Sequence, residues 1–201
     1  AGVGGQGSIL ASHIIAEAAV KASEGSKKIN VRVGETFGAA MRGGAVASHV
    51  RIGEAYGPLV GKGQADLILA LEPLEGLRVG VEYLAPHGMA ILNTEPDYPV
   101  DVKTGAAQYP SLEEIKDALE QLGKKVVTIE AGKLALEAGH PKTVSVVMLG
   151  AAFASGLFPF AEEVVLEAIK ERVPQRTLDV NLKAFNLGKE AFRASYSLWV
   201  S

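Results

Sequence analysis

Asp66-Leu67-Ile68-Leu69-Ala70-Leu71-Glu72-Pro73-Leu74-Glu75 is the stretch on which the fold turns. After Asp66 its first half has no polar residue, and a short unbroken apolar run reads as a strand buried on both faces. Its second half opens a helix, because proline is tolerated in the first turn and acidic side chains favour the positive end of the helix dipole. A buried strand feeding directly into a helix implies a parallel sheet covered by helices, with this strand in a central place.

The same grammar extends in both directions. Gly88-Met89-Ala90-Ile91-Leu92-Asn93 and Val126-Val127-Thr128-Ile129 read as further strands. Ser111-Leu112-Glu113-Glu114 is a capping box, and Leu112, Ile115, Leu119 and Leu122 form the buried stripe of its helix, which Gly123 stops. Between them, Glu95 to Pro110 carries three prolines and little periodicity, and reads as a crossing loop or a short edge element. Upstream, Ile29 to Val33 alternates as a strand, Gly34 to Gly44 reads as a loop, and Val46 to Ile52 alternates again. Beyond Glu130 the pattern is helical only, over 131–138, 142–155, 161–173 and 181–194, with Gly139, Gly156 and Pro174 between segments. The expectation is an α/β fold: a three-layer Rossmann-like domain with a mainly parallel sheet and a C-terminal helical portion. It forms a single domain over 1–201, with 1–130 as the α/β core and 131–201 as the helical portion.

Composition narrows the function. With 48% hydrophobic and 21% charged residues the chain can bury a full core. A formal net charge of -3 and the lack of any Lys or Arg run argue against a nucleic-acid surface. Cysteine is absent, which excludes disulfides, thiol nucleophiles and cysteine-ligated iron–sulfur clusters within this sequence. Four histidines are scattered without metal-site spacing. The longest apolar stretch, Val144 to Phe160, is interrupted by Ser145, Ser155 and Gly156 and is too short to span a membrane. No signal peptide is visible, so the expected location is cytoplasmic.

Two glycine loops stand out. Ala1-Gly2-Val3-Gly4-Gly5-Gln6-Gly7 runs into a helical pattern from Ser8 to Ala22 and satisfies the spacing of a dinucleotide fingerprint. That fingerprint also needs a strand ahead of it, which is expected to precede Ala1, and an acid about 20 residues on. Glu24 falls before the next strand and Glu35 after it. A glycine turn packing helix against sheet therefore reads better than a cradle for NAD or a flavin. The second loop, Met41-Arg42-Gly43-Gly44, sets a guanidinium beside residues with no side chains to cover it, suited to an anion or a partner surface. Adjacent Ser48 and His49 point to opposite faces of a strand and make no triad. His13 reads as a hydrogen-bonded buried or interfacial imidazole, His87 as exposed in a turn, and Glu72 and Glu75 as compensation for the helix dipole.

Together several segments resemble the gamma domain of the 2-oxoacid:ferredoxin oxidoreductases. The carriers are Gly2-Val-Gly-Gly-Gln-Gly7, Met41-Arg-Gly-Gly44 followed by Ser48-His-Val-Arg51, Ala65-Asp66 opening an apolar strand, and Gly88-Met-Ala-Ile-Leu-Asn-Thr94. Leu71-Glu-Pro-Leu-Glu-Gly-Leu-Arg78 and Asn181-Leu-Lys-Ala-Phe185 look nearest to the indolepyruvate-type beta subunits of that family. The resemblance implies a non-catalytic but required subunit of a complex that oxidatively decarboxylates a 2-oxoacid to an acyl-CoA and reduces ferredoxin. Thiamine diphosphate and the iron–sulfur clusters would belong to other domains, so its partners would be a thiamine-binding catalytic subunit and a ferredoxin-like one; a homodimer is left open. By matching positions, Gly4, Gly5, Gln6, Gly7, Thr36, Arg42, Gly43 and Gly44 would face the partner and the coenzyme A side. One segment departs: Thr36-Phe37-Gly38-Ala39-Ala40-Met41 stands where indolepyruvate-type subunits carry His-Gly-Met-Ala-Gln. That keeps other 2-oxoacids open as substrates. The alternative is an independent Rossmann-type oxidoreductase using the opening loop for NAD or a flavin.

Overall fold

In the computed structural model, residues 1–23, 29–38 and 43–200 are described. The elements run β1 (Gly2–Val3), α1 (Ser8–Ser23), β2 (Val31–Phe37), β3 (Ala45–Ile52), β4 (Ala65–Ala70), α2 (Pro73–Tyr83) and β5 (Leu84–Asn93). They continue as α3 (Val100–Lys103), α4 (Leu112–Glu120), β6 (Lys125–Ile129), α5 (Ala131–Ala138), α6 (Val144–Ala154), α7 (Glu162–Arg172) and α8 (Leu178–Val200).

The deciding stretch folds as expected: β4 passes straight into α2, whose N-cap is Glu72 and whose first helical residue is Pro73. β4, β5 and β6 form a parallel sheet in that order, with Leu67 opposite Met89 and Ile91 opposite Val127. One expectation is corrected here. β5 is the central strand, and β4, despite its unbroken apolar run, has only β5 beside it along its length among the described residues.

The upstream strands do not join this sheet. β1, β3 and β2 make a separate antiparallel sheet in that order, so the sheet content is parallel in one half and antiparallel in the other. β2 continues through Gly34 to Phe37, where the glycine signal predicts loop. Seven cross-strand pairs with β3, from Val31 with Ile52 to Phe37 with Val46, outweigh the local preference of one glycine. Similarly β5 starts at Leu84, so Pro86-His87-Gly88 lies in a strand and not a turn; His87 is exposed all the same, 3.0 Å from Asp66. The proline-rich stretch from Glu95 to Pro110 contains the one-turn helix α3.

Alternation along β5 divides the core. Ala90 and Leu92 face one side with Ile68, Ile115 and Leu119, under α2 and α4. Ile91 faces the other with Val127, Met148, Leu149 and Phe185, so α5, α6 and α8 cover that face together with Ile14 of α1. The parallel sheet thus sits between two helical layers, and one apolar cluster runs from the strands into the C-terminal helices. The capping box forms as read: the Glu114 amide donates to Ser111 Oγ at 3.2 Å, and the Ser111 amide donates to Glu114 Oε2 at 2.7 Å. Among the described residues no helix is long and apolar enough to cross a membrane.

Candidate functional site

The two glycine loops, far apart in sequence, are hydrogen-bonded to each other. The Gly4 amide donates to the Gly44 carbonyl at 2.8 Å, and the Gly43 amide donates to the Gly4 carbonyl at 3.2 Å. The pairing of β1 with β3, Gly2 opposite Val46 and Val3 opposite Ala45, brings them together. Gln6 closes the first loop by accepting from the Val3 amide through Oε1 at 2.9 Å. Gly5 and Gly43 have positive φ, and nothing lies within 4 Å of where a Cβ would project, so both offer bare backbone to the surface. Gly7 differs. Its φ is +94°, and Ser145 Oγ of α6 lies 2.6 Å from where a Cβ would be, so it packs one helix end against another.

Thr36 sits on the exposed end of β2, its hydroxyl donating to the Ala47 carbonyl at 3.3 Å. It rims a hollow of about 240 Å³ whose wall includes Phe37, Ala47, Glu75, Arg78 and Tyr83. Arg42, with Met41, lies outside the described residues. Of the eight residues singled out from the sequence, Gly4, Gly5, Gln6, Gly7, Gly43 and Gly44 therefore form one junction, and Thr36 lies at the end of the hairpin that supports it.

The dinucleotide arrangement is not reproduced. β2, the strand that follows α1, is separated from β1 by β3, and its acid Glu35 turns to His13 of α1, Oε1 to Nε2 3.4 Å. His13 thus faces Glu35 across the α1–β2 interface, but without the hydrogen bond expected of it. His49 is buried, 5% exposed, and accepts from the Val60 amide through Nδ1 at 3.3 Å. Burial pushes its pKa below the usual histidine value, and because Nδ1 accepts, the neutral ring carries its proton on Nε2, which has no hydrogen-bond partner among the described residues.

Glu72 does more than compensate a helix dipole. It is 1% exposed, and its carboxylate accepts from the Glu75 amide at 2.8 Å, from the Asp97 amide at 3.3 Å and from the Tyr109 hydroxyl. It therefore caps α2 and anchors the crossing segment beside the carboxyl ends of the parallel strands. Burial, followed by the bond to Glu72, holds the Tyr109 phenol well above its usual pKa, so it remains a donor. Asn93 does comparable work at the end of β5, donating to the Leu71 carbonyl at 3.0 Å and accepting from the Ala131 amide at 3.2 Å. Nothing in the sequence marks Tyr109 as Glu72's partner, since the contact crosses a loop without periodicity. The polar groups at this end of the sheet thus satisfy one another, and no nucleophile–base pair is assembled from them.

Glu75 lines the hollow beside Arg78, its Oε1 3.3 Å from the guanidinium. Desolvation raises its pKa, and Arg78 only partly opposes the rise. With the folded value above the unfolded one, about 4.3, the folded state binds the extra proton, and stability falls as pH rises through that window. Glu75→Gln removes this slope. Urea midpoints between pH 4 and pH 7 should decline less with rising pH in the variant, and parallel profiles would show that Glu75 is solvated like any surface carboxylate.

Comparison with known proteins agrees across the chain. The pyruvate ferredoxin/flavodoxin oxidoreductase family model matches residues 1–191. Indolepyruvate oxidoreductase subunit IorB of Thermococcus kodakarensis is 42% identical over 199 residues, 98% of this chain and 96% of that protein. The gamma subunit of a keto/oxoacid ferredoxin oxidoreductase from Geobacter sulfurreducens superposes with a TM-score of 0.68 at 25% identity, covering 96% of this chain and 95% of that one. A 2-oxoglutarate:ferredoxin oxidoreductase from Magnetococcus marinus, solved with 2-oxoglutarate, coenzyme A and succinyl-CoA bound, matches 96% of this chain with 30% of its own length, TM-score 0.66 at 25% identity.

Proposed function

Because the chain belongs to the pyruvate ferredoxin/flavodoxin oxidoreductase family, we propose that it is the small, non-catalytic but required subunit of a 2-oxoacid:ferredoxin oxidoreductase acting on indolepyruvate or another aryl pyruvate. The carrying observation is 42% identity, sustained over 98% of the chain, to an indolepyruvate oxidoreductase subunit. In this reading thiamine diphosphate and the iron–sulfur clusters reside in partner subunits. The sequence has no cysteine to hold a cluster, and among the described residues no group of three His, Asp or Glu side chains is placed to hold a metal. The complex joins the acyl group left by decarboxylation to coenzyme A and passes two electrons to ferredoxin.

The part given to this chain is a docking surface. Gly5 and Gly43 present unshielded backbone from two loops locked to each other through Gly4 and Gly44, so a catalytic partner, or coenzyme A held between them, can approach main chain there without side-chain interference. Thr36 and Arg42 belong to the same face in this reading, Arg42 on the strength of its sequence position. The working location is the cytoplasm, where ferredoxin and coenzyme A are met.

Reconstitution tests this. The chain is combined with a thiamine-binding subunit and a ferredoxin-like one, and coenzyme A-dependent reduction of ferredoxin is followed with indolepyruvate, phenylpyruvate, pyruvate and 2-oxoglutarate. Activity should require the chain and give its highest kcat/KM with an aryl pyruvate, and Arg42→Ala should weaken assembly or raise the KM for coenzyme A. Full activity without the chain, or micromolar binding of NAD or a flavin by the chain alone, would overturn the reading.

A further inference from the structure

Within the stretch from Leu71 to Arg78, Glu72 is absorbed by the cap of α2 and the anchor on Asp97 and Tyr109, while Glu75 and Arg78 turn to the hollow that Thr36 rims. They stand with Glu82 at i, i+3 and i+7 of α2, so one face of the helix carries acid, base and acid. The far wall of the hollow is the hairpin, through Thr36, Phe37 and Ala45 to Ala47. Ala45 follows Gly44, so the hollow borders the glycine junction.

Its size and charge select the occupant. Pockets for small molecules begin at about 300 Å³, and this hollow of about 240 Å³ is left to a single inserted side chain. Its lining sets two carboxylates against one guanidinium. Arg78 lies 3.3 Å from Glu75, and Lys62 reaches Glu82 at 3.5 Å, but both bases are exposed and water screens them. Glu75 itself is buried, and that burial holds its pKa above the ordinary value in spite of Arg78. An anion would be repelled here, and among the described residues no third acid or histidine completes a metal site. A cationic side chain with an aliphatic stem meets every wall: Val79 is apolar, and Tyr83 offers a ring fixed edge-on to His49, centroids 5.0 Å apart. Arginine suits it better than lysine, being less strongly hydrated and forked to match carboxylates.

We propose that this hollow is a socket for one arginine of the catalytic partner, whose guanidinium lies against the Glu75 and Glu82 carboxylates with its stem along Val79 and Tyr83. The inference rests on the reading of this chain as a required subunit, and it makes the partner's surface basic where it meets α2 and the hairpin.

The parent chain is titrated calorimetrically with the thiamine-binding subunit at about 50 mM and about 300 mM salt. Glu75→Gln, Glu82→Gln and, as a remote control on α7, Glu163→Gln are titrated beside it. Parent and control should bind alike and more weakly in high salt. At low salt Glu75→Gln should bind about 30-fold more weakly and Glu82→Gln about 10-fold, both with a flatter salt dependence. Glu82 is exposed, so its variant keeps the test free of any folding defect at buried Glu75. The partner's arginines are then replaced by methionine one at a time, and one replacement should match the loss and add nothing to Glu82→Gln. Equal binding by parent and both hollow variants, or no arginine behaving in this way, would overturn the socket and leave the subunit reading standing. Tighter binding by the variants would overturn it as well, since the hollow would then take an anion. A parent chain that does not bind the catalytic subunit would overturn both.

Discussion

Replacing Gly188 by alanine is expected to destabilise the protein by about 3 kcal/mol or more, with Gly150→Ala close behind. These glycines bring α6 and α8 into backbone contact. A Cβ on Gly188 would lie 2.7 Å from the Val147 carbonyl carbon and nearer still to its oxygen, and one on Gly150 would lie 2.8 Å from the Phe185 carbonyl carbon. Neither neighbour is a side chain that can swing away. The helices must separate, and Met148, Leu149 and Phe185, all fully buried, lose packing with them. Alanine gains about 1 kcal/mol over glycine in helix propensity, so the clash decides the sign. Urea unfolding measures it, with Gly57→Ala as control because nothing lies within 4 Å of that site. A midpoint for Gly188→Ala equal to the control's would mean that the two helices are not in contact as described.

The second large effect is expected at Glu72. Glu72→Ala leaves the Glu75 amide, the Asp97 amide and the Tyr109 hydroxyl without their acceptor, all in partly or wholly buried surroundings. An unsatisfied buried donor costs about 1–3 kcal/mol and a lost N-cap about 1. Because the three donors share one carboxylate the terms do not add, and a net loss of about 3–4 kcal/mol is expected. Tyr109→Phe should cost about 1 kcal/mol, and the double variant should be less destabilised than the sum. Amide exchange at Asp97 supplies a local reading, since the crossing segment loses its anchor. Additive costs, or a Glu72→Ala midpoint within error of the parent, would rule out the carboxylate as the hub.

Local sequence decides some of these features and not others. Glu72-Pro73 and Ser111 to Glu114 start helices for reasons contained in a few residues, and the capping box at Ser111 forms as read, whereas the N-cap role of Glu72 came only with the structure. Thr36 and His87 were harder, because glycine and proline signals beside them predict loop and turn: pairing with Ala47 of β3 holds Thr36 in a strand, and His87 lies in the irregular stretch of β5 between the Leu84 and Met89 pairs with β4. The glycine junction was half legible. Each loop was visible by composition, but their mutual hydrogen bonds depend on an antiparallel register that no local signal carries. Tyr109 on Glu72 and Ser145 against Gly7 were not legible at all, for each joins elements whose spacing is set by the packed core.

By itself the sequence determined the alternation of buried strand and helix, the helical character beyond Glu130, the lack of any thiol chemistry and the family. These follow from periodicity, capping and residue type, which act over a turn or a strand. Only the tertiary structure decided that β2 and β3 stand apart from the parallel sheet, that β5 is the middle one of its three described strands, and that the two glycine loops make one surface. The reason is physical: strand order and register are fixed by which faces the helices bury and which backbone groups find partners across the fold, and these choices are settled only when all the elements compete for the same core.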